Sequence, residues 1–156
     1  MSFNTIADFE VHATGRQRFA SAAFRGHFYV IYFYPKDATP GCTLEGAQFR
    51  DLHSQFLQAG VMVFGVSRDS VASHEKFKSN MQFPFELLSD TDEKICKLFD
   101  VIKEKNMYGK KVMGIQRSTF LMGQHNEILQ EWRGVKVDGH ADAVLTAAKS
   151  VTKSVA

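Results

Sequence analysis

The chain reads as an α/β protein in which a mixed central sheet is flanked by helices, and three features of the sequence predict this. A β-branched and aromatic run from Phe28 to Tyr34 stops at Pro35, as a strand buried on both faces should. A second apolar run, Val61 to Ser67, has the same character, and the stretch between the two keeps helical rather than alternating spacing. Later, two apolar segments are split by the turn-forming Gly123-Gln124-His125-Asn126 and followed by an amphipathic stretch, which adds a hairpin and a closing helix.

Taken in order, the loop PKDATPG after the first strand leads to apolar residues at Leu44, Ala47, Phe49, Leu52, Phe56 and Leu57. These form one side of a helix that Gly60 can cap. Ser70 to Asn80 reads as a polar helix stopped before Pro84, and FELLS as a short extended piece. The spacing predicts another helix from Asp92 to about Phe99, capped by the cluster from Ser89 to Asp92. KEKNMYGKKVMG reads as a Gly- and Lys-rich loop, RSTFLMG with EILQEWRGV as a hairpin, and DGHADAVLTAAKSV as the last helix. With no repeat, low-complexity tract or linker, one domain over residues 1–156 is expected.

The chain has 19 basic and 17 acidic residues, a net charge of +2, and no run of five like charges, so nucleic acid is not expected as a partner. The N-terminal MSFNTIADFEVHATG lacks the charged, apolar and small-residue regions of a secretory signal, and no apolar run is long enough to span a bilayer. A cytoplasmic protein without membrane attachment is expected, as a monomer rather than a dimer. Two cysteines cannot form a disulfide framework, so each serves chemistry or packing.

Cys42 falls directly after a buried strand and a Pro- and Gly-punctuated loop, where the next helix must begin. The free amides and positive dipole end of a helix favour a thiolate there. The Thr39 hydroxyl can donate to the sulfur or to a bound substrate, and Pro40 can shield it from bulk water. A fall in thiol pKa from about 8.5 to about 6 raises the thiolate fraction at neutral pH only about thirtyfold. Enzymic enhancements begin near a millionfold, so a cation must also stabilise the charge that develops on a leaving oxygen. Arg117, opening the strand RSTFLM, is the candidate; Glu45, three residues after Cys42 on its helical face, can anchor it; Arg50 is the competing cation.

Pro35, Thr39 and Cys42 fill the places of the peroxiredoxin signature, a proline, three residues, a threonine, two residues and a cysteine. The longer string YFYPKDATPGCT, with FELLSD and GIQRSTFLM following in order, resembles the bacterioferritin comigratory protein (PrxQ) subgroup over about residues 5 to 150. The resemblance implies a thioredoxin-like fold and an antioxidant role in which Cys42 reduces a hydroperoxide substrate. Thr39 and Arg117 would be peroxide ligands, Pro35, Pro40 and Gly41 would shape the pocket beside Glu45, and no metal or organic cofactor would be needed. The six scattered histidines show no metal-ligand spacing and read as surface or core polar residues.

Two departures matter. Members of the subgroup often carry a resolving cysteine five residues after the peroxidatic one, or on the helix that SHEKFKSN represents here; Ala47 occupies the first place, and the helix has no cysteine. Cys96, flanked by Ile95, Leu98 and Phe99, reads as a packing residue, so a sulfenic acid on Cys42 is expected to be reduced by thioredoxin, glutaredoxin or a small thiol. Were Cys96 to resolve instead, the helix near Cys42 would have to unwind for a disulfide to close. Ala7 also stands where the family commonly has proline, next to its first hairpin. A thiol-disulfide oxidoreductase would need a second cysteine where Glu45 stands. A peroxide sensor or redox-controlled chaperone using the same cysteine is the remaining alternative, and an inert core cysteine would have no need of the PKDATPGCT context.

Overall fold

The computed structural model describes residues 5–153; the first four residues of the segment read for a signal, and the last three of the expected domain, lie outside the described residues. In chain order the elements are β1 (Glu10–Ala13), β2 (Gln17–Ala20), a 3-10 turn (Ser21–Phe24), β3 (Phe28–Phe33), α1 (Pro40–Gln58), β4 (Val61–Ser67) and α2 (Val71–Met81). They continue with β5 (Leu87–Ser89), α3 (Lys94–Leu98), β6 (Ile102–Met107), β7 (Lys110–Ile115), β8 (Ser118–Met122), β9 (Ile128–Arg133) and α4 (His140–Lys153).

Seven strands form one mixed sheet in the order β2-β1-β5-β4-β3-β8-β9. β3 lies in its interior, parallel to β4 with Val30 opposite Val63 and antiparallel to β8 with Val30 opposite Leu121. Because successive side chains of a strand point to opposite faces, β3 divides its residues between two cores. Tyr29, Ile31 and Phe33 join one cluster with Phe64, Phe99 and Phe120. Val30, Tyr32 and, just past the strand end, Tyr34 join the other with Phe49, Phe77 and Val144, supplied by α1, α2 and α4. Nearly every residue of β3 is buried, which is why it reads as an unbroken apolar run.

α1 is clamped to this sheet by two contacts. The ring of Phe49 stacks on Tyr32 at 4.6 Å between centroids, and full burial of such a side chain contributes about 1.5–3 kcal/mol. Gly46 lies against Phe83 so closely that a Cβ would come within 2.4 Å of the ring, so only glycine lets the helix sit at this depth.

The helices begin where local chemistry allows. Ser70 caps α2 by accepting from the Ser73 amide at 3.2 Å, and α3, shorter than its sequence suggests, hangs from the Asp90 carboxylate. That carboxylate accepts from the amides of Ile95 at 3.0 Å and Cys96 at 2.7 Å. The first hairpin, β1 with β2, forms with Ala7 in place of a proline.

The segment 103–114 departs from expectation. It is not a loop: β6 and β7 pair as a separate two-stranded sheet, Met107 opposite Lys110. Tyr108 and Gly109 take φ of 54° and 79° between them, the positive values that a two-residue hairpin turn of this hand requires. Most of both strands is exposed, so no apolar alternation marks them in the sequence.

Candidate active site

β3 ends inside the sheet and passes its chain to the loop 34–39, which turns into α1. Thr39 stands just before the helix in extended backbone, and its carbonyl accepts from the Thr43 amide at 2.8 Å. Pro40 opens the helix, where a missing N–H costs nothing, and lies exposed on that turn; Pro35 and Gly41 are half-buried. Cys42 therefore occupies the first turn, 2% exposed, with its sulfur on the core side.

Arg117 reaches this sulfur from just ahead of β8. Its Nη2 donates to Cys42 Sγ at 3.5 Å while Nη1 donates to Glu45 Oε1 at 2.6 Å. A Cβ on residue 41 would lie 3.1 Å from Nη2, so Gly41 leaves room for the guanidinium. Glu45 is fully buried, and burial pushes its carboxyl up to about 7 against the opposing pull of Arg117. Burial alone would lower the Arg117 pKa, but Glu45 and Cys42 outweigh it and raise it, so the guanidinium stays charged.

Two buried oxygens here, Glu45 Oε2 and Tyr32 Oη, have no hydrogen-bond partner among the described residues. Behind the arginine, His140 Nε2 lies 2.8 Å from Thr119 Oγ1, and burial followed by the charge of Arg117 pushes this imidazole down to about 4. It is neutral at physiological pH, so it adds no second cation behind Arg117.

Several sequence expectations meet their geometry here. Cys42, Gly41, Glu45 and Arg117 converge. Thr39 Oγ1 donates to the Lys36 carbonyl at 2.8 Å, closing the loop on itself rather than reaching the sulfur. Arg50 lies elsewhere, its Nε on Asp51 at 3.0 Å and Nη1 on the Met81 carbonyl at 2.9 Å, at the end of α2. His140 and Thr119 carried no sequence signal, because their contact joins a strand and a helix 21 residues apart. Among the described residues no group of three or more metal-ligating side chains comes together.

Cys96 is fully buried in the cluster on the face of the sheet opposite Cys42. Burial, then the Asp90 carboxylate beside it, push its thiol pKa far up. Neither cysteine is in a disulfide.

The AhpC/TSA family model matches residues 4–131, most of the chain. The chain belongs to this family. Among curated proteins it is similar to peroxiredoxin Bcp of Xanthomonas campestris, 54% identical over 146 residues that span 94% of this chain and 91% of that protein. Peroxiredoxin Bcp of Bacillus subtilis is 45% identical over 83% of each chain. Among solved structures, Xanthomonas campestris peroxiredoxin Q superposes with a TM-score of 0.89 at 53% identity, covering 92% of this chain and 91% of that one. Peroxidoxin BcpB of Mycobacterium tuberculosis superposes at 0.84 and 30% identity, covering 96% of each. This peroxiredoxin thus falls in the Bcp/PrxQ subgroup, has a thioredoxin-like fold and is a thiol peroxidase. No helix among the described residues is long and apolar enough to cross a membrane.

Proposed function

We propose that Cys42 is the peroxidatic cysteine of a one-domain enzyme that reduces hydrogen peroxide and organic hydroperoxides. One observation carries the assignment: the sulfur sits in the first turn of α1, 3.5 Å from an arginine whose other arm is fixed by a buried glutamate. The thiolate attacks the nearer peroxide oxygen, an S–O bond forms as the O–O bond breaks, and the departing alkoxide or hydroxide takes a proton to leave as alcohol or water. Arg117 holds the peroxide and offsets charge on both the sulfur and the leaving oxygen, Glu45 holds Arg117, and the Thr39 hydroxyl turns from Lys36 to the peroxide. Pro35, Pro40 and Gly41 wall the pocket. A solved structure of the Xanthomonas campestris bacterioferritin comigratory protein, 53% identical to this chain, is described for alkyl peroxide reduction, which supports the organic substrate.

The sulfenic acid left on Cys42 is reduced from outside. A first thiol forms a mixed disulfide with loss of water, and a second thiol releases Cys42. The placement of Cys96 across the sheet, deep in the other core, supports this one-cysteine cycle. Thioredoxin, glutaredoxin or a small thiol is the reductant, and the enzyme works as a cytoplasmic monomer. Cys42→Ser should abolish peroxide consumption with the fold intact, since a serine hydroxyl is not ionised at neutral pH. Activity above about one-tenth of wild type would overturn the assignment. Sustained turnover with a small thiol separates this reading from a sensor or chaperone that is oxidised once.

A further inference from the structure

The peroxide chemistry leaves unused a buried polar cluster beneath the loop that delivers Cys42. Asp37, in that loop, is 7% exposed and its carboxylate is surrounded by donors. Oδ1 accepts from Tyr34 Oη at 2.7 Å; Oδ2 accepts from Ser73 Oγ at 2.8 Å and lies 2.7 Å from His74 Nδ1. The Asp37 amide donates to Asp69 Oδ2 at 2.9 Å, itself held by Ser67 Oγ at 2.5 Å. His74, on α2 and wholly buried, has the Leu88 carbonyl of β5 2.8 Å from Nε2. One residue thus ties together the end of β3, the loop after β4, α2 and, through His74, β5.

The hydrogen bonds fix where the protons are. A carbonyl oxygen only accepts, so His74 Nε2 must carry a hydrogen. Nδ1 faces a carboxylate oxygen, and Tyr34 Oη, 3.5 Å away, already directs its hydrogen to Oδ1. A second proton must therefore lie between Nδ1 and Oδ2. The Asp37 carboxylate already accepts from Tyr34 Oη and Ser73 Oγ, so it is the acceptor of the set and the shared proton stays on Nδ1.

Next along the chain, Ala38 takes a φ of 63°, a left-handed conformation that disfavours any side chain and persists only where its surroundings impose it. The Asp37 contacts impose it from one side, and Thr39 Oγ1 on the Lys36 carbonyl closes the other. Two residues later α1 begins.

We propose that His74 and Asp37 form a buried imidazolium–carboxylate pair that pins the loop 34–39 in this conformation and so positions Cys42 under Arg117. Both are positioning residues, since neither touches the sulfur. The positioning half of the inference rests on the peroxidase reading of Cys42; the proton assignment does not.

The test has two arms. In wild-type reduced protein, nitrogen NMR of His74 at neutral pH should show both ring nitrogens protonated; one bare nitrogen overturns the pair, whatever any variant does. In His74→Gln, which keeps hydrogen-bonding capacity but loses the charge, oxidation of Cys42 by peroxide should slow by about tenfold or more, because small displacements of reacting groups are costly. Alkylation of Cys42 by iodoacetamide should meanwhile speed up, as a loosened loop exposes the thiol. Adding Ala38→Gly, which favours the left-handed backbone, should restore part of the peroxide rate; a merely structural loss would not be repaired this way. A peroxide rate in His74→Gln within about twofold of wild type overturns the positioning role. If wild type itself consumes no peroxide, the peroxidase reading falls and the positioning role with it, whereas the NMR still decides the pair.

Discussion

Replacing Arg117 with lysine isolates what the planar fork does at the sulfur. The arginine serves two acceptors through two nitrogens, Glu45 Oε1 at 2.6 Å and Cys42 Sγ at 3.5 Å. A lysine brings one nitrogen, and the fully buried carboxylate claims it, because the other Glu45 oxygen already has no partner among the described residues. The sulfur and the peroxide are then left without their donor. A hydrogen bond to a charged group contributes about 1.5–3 kcal/mol, and each 1.4 kcal/mol or so is tenfold in rate, so the second-order constant should fall by about ten to 150-fold. Alanine would be a poorer probe, since it leaves Glu45 buried without its partner and mixes stability into the answer. The assay is rapid mixing of reduced protein with excess peroxide, followed by counting the remaining thiol, with circular dichroism to confirm the fold. A fall of under about tenfold would mean that the fork is not what stabilises the transition state, and would remove Arg117 from the reaction.

Glu45→Gln should change the pH dependence of stability. Wild-type Glu45 holds its proton up to about 7 in the folded state against 4.5 for an ordinary glutamate, so the unfolded chain ionises first. Stability should therefore drop as pH rises through that window, by about 3 kcal/mol at most, and chemical denaturation across it should show the slope flattened in the variant. An unchanged slope would assign it to another group. Cys96→Ser should keep most turnover with a small thiol, and excess peroxide should add two oxygens to Cys42, as seen by mass spectrometry. An intramolecular Cys42–Cys96 disulfide formed during turnover would refute the one-cysteine cycle.

How legible each part is depends on whether its signal is local. The run Phe28 to Tyr34 and the Pro-Gly pair ahead of Cys42 act on their neighbours, so strand, loop and helix start can be read directly. Glu45 is legible for the same reason, one helical turn from the thiol. Arg117 is legible as a strand opener, and the geometry places it immediately before the strand. The β6–β7 hairpin is not legible, because its turn is Tyr-Gly rather than Asn-Gly and its strands are largely exposed. Asp37 with His74, and Thr119 with His140, are contacts between residues 37 and 21 positions apart that only the fold brings together. A polar side chain gives no advance sign of the partner that will satisfy it.

The alternation of β3 also limits how this scaffold can change. Because the sheet separates two cores, any side chain is assigned to one of them as soon as its element is placed, and a thiol on α3 begins life behind a wall of hydrogen-bonded backbone from Cys42. Positions on α1 and α2, Ala47 and Lys78 among them, belong to elements packed on the side of the sheet that holds Cys42. A cysteine introduced on either helix would therefore start on Cys42's side of the sheet. Cys96 on α3, in the other core, starts with the sheet between it and Cys42.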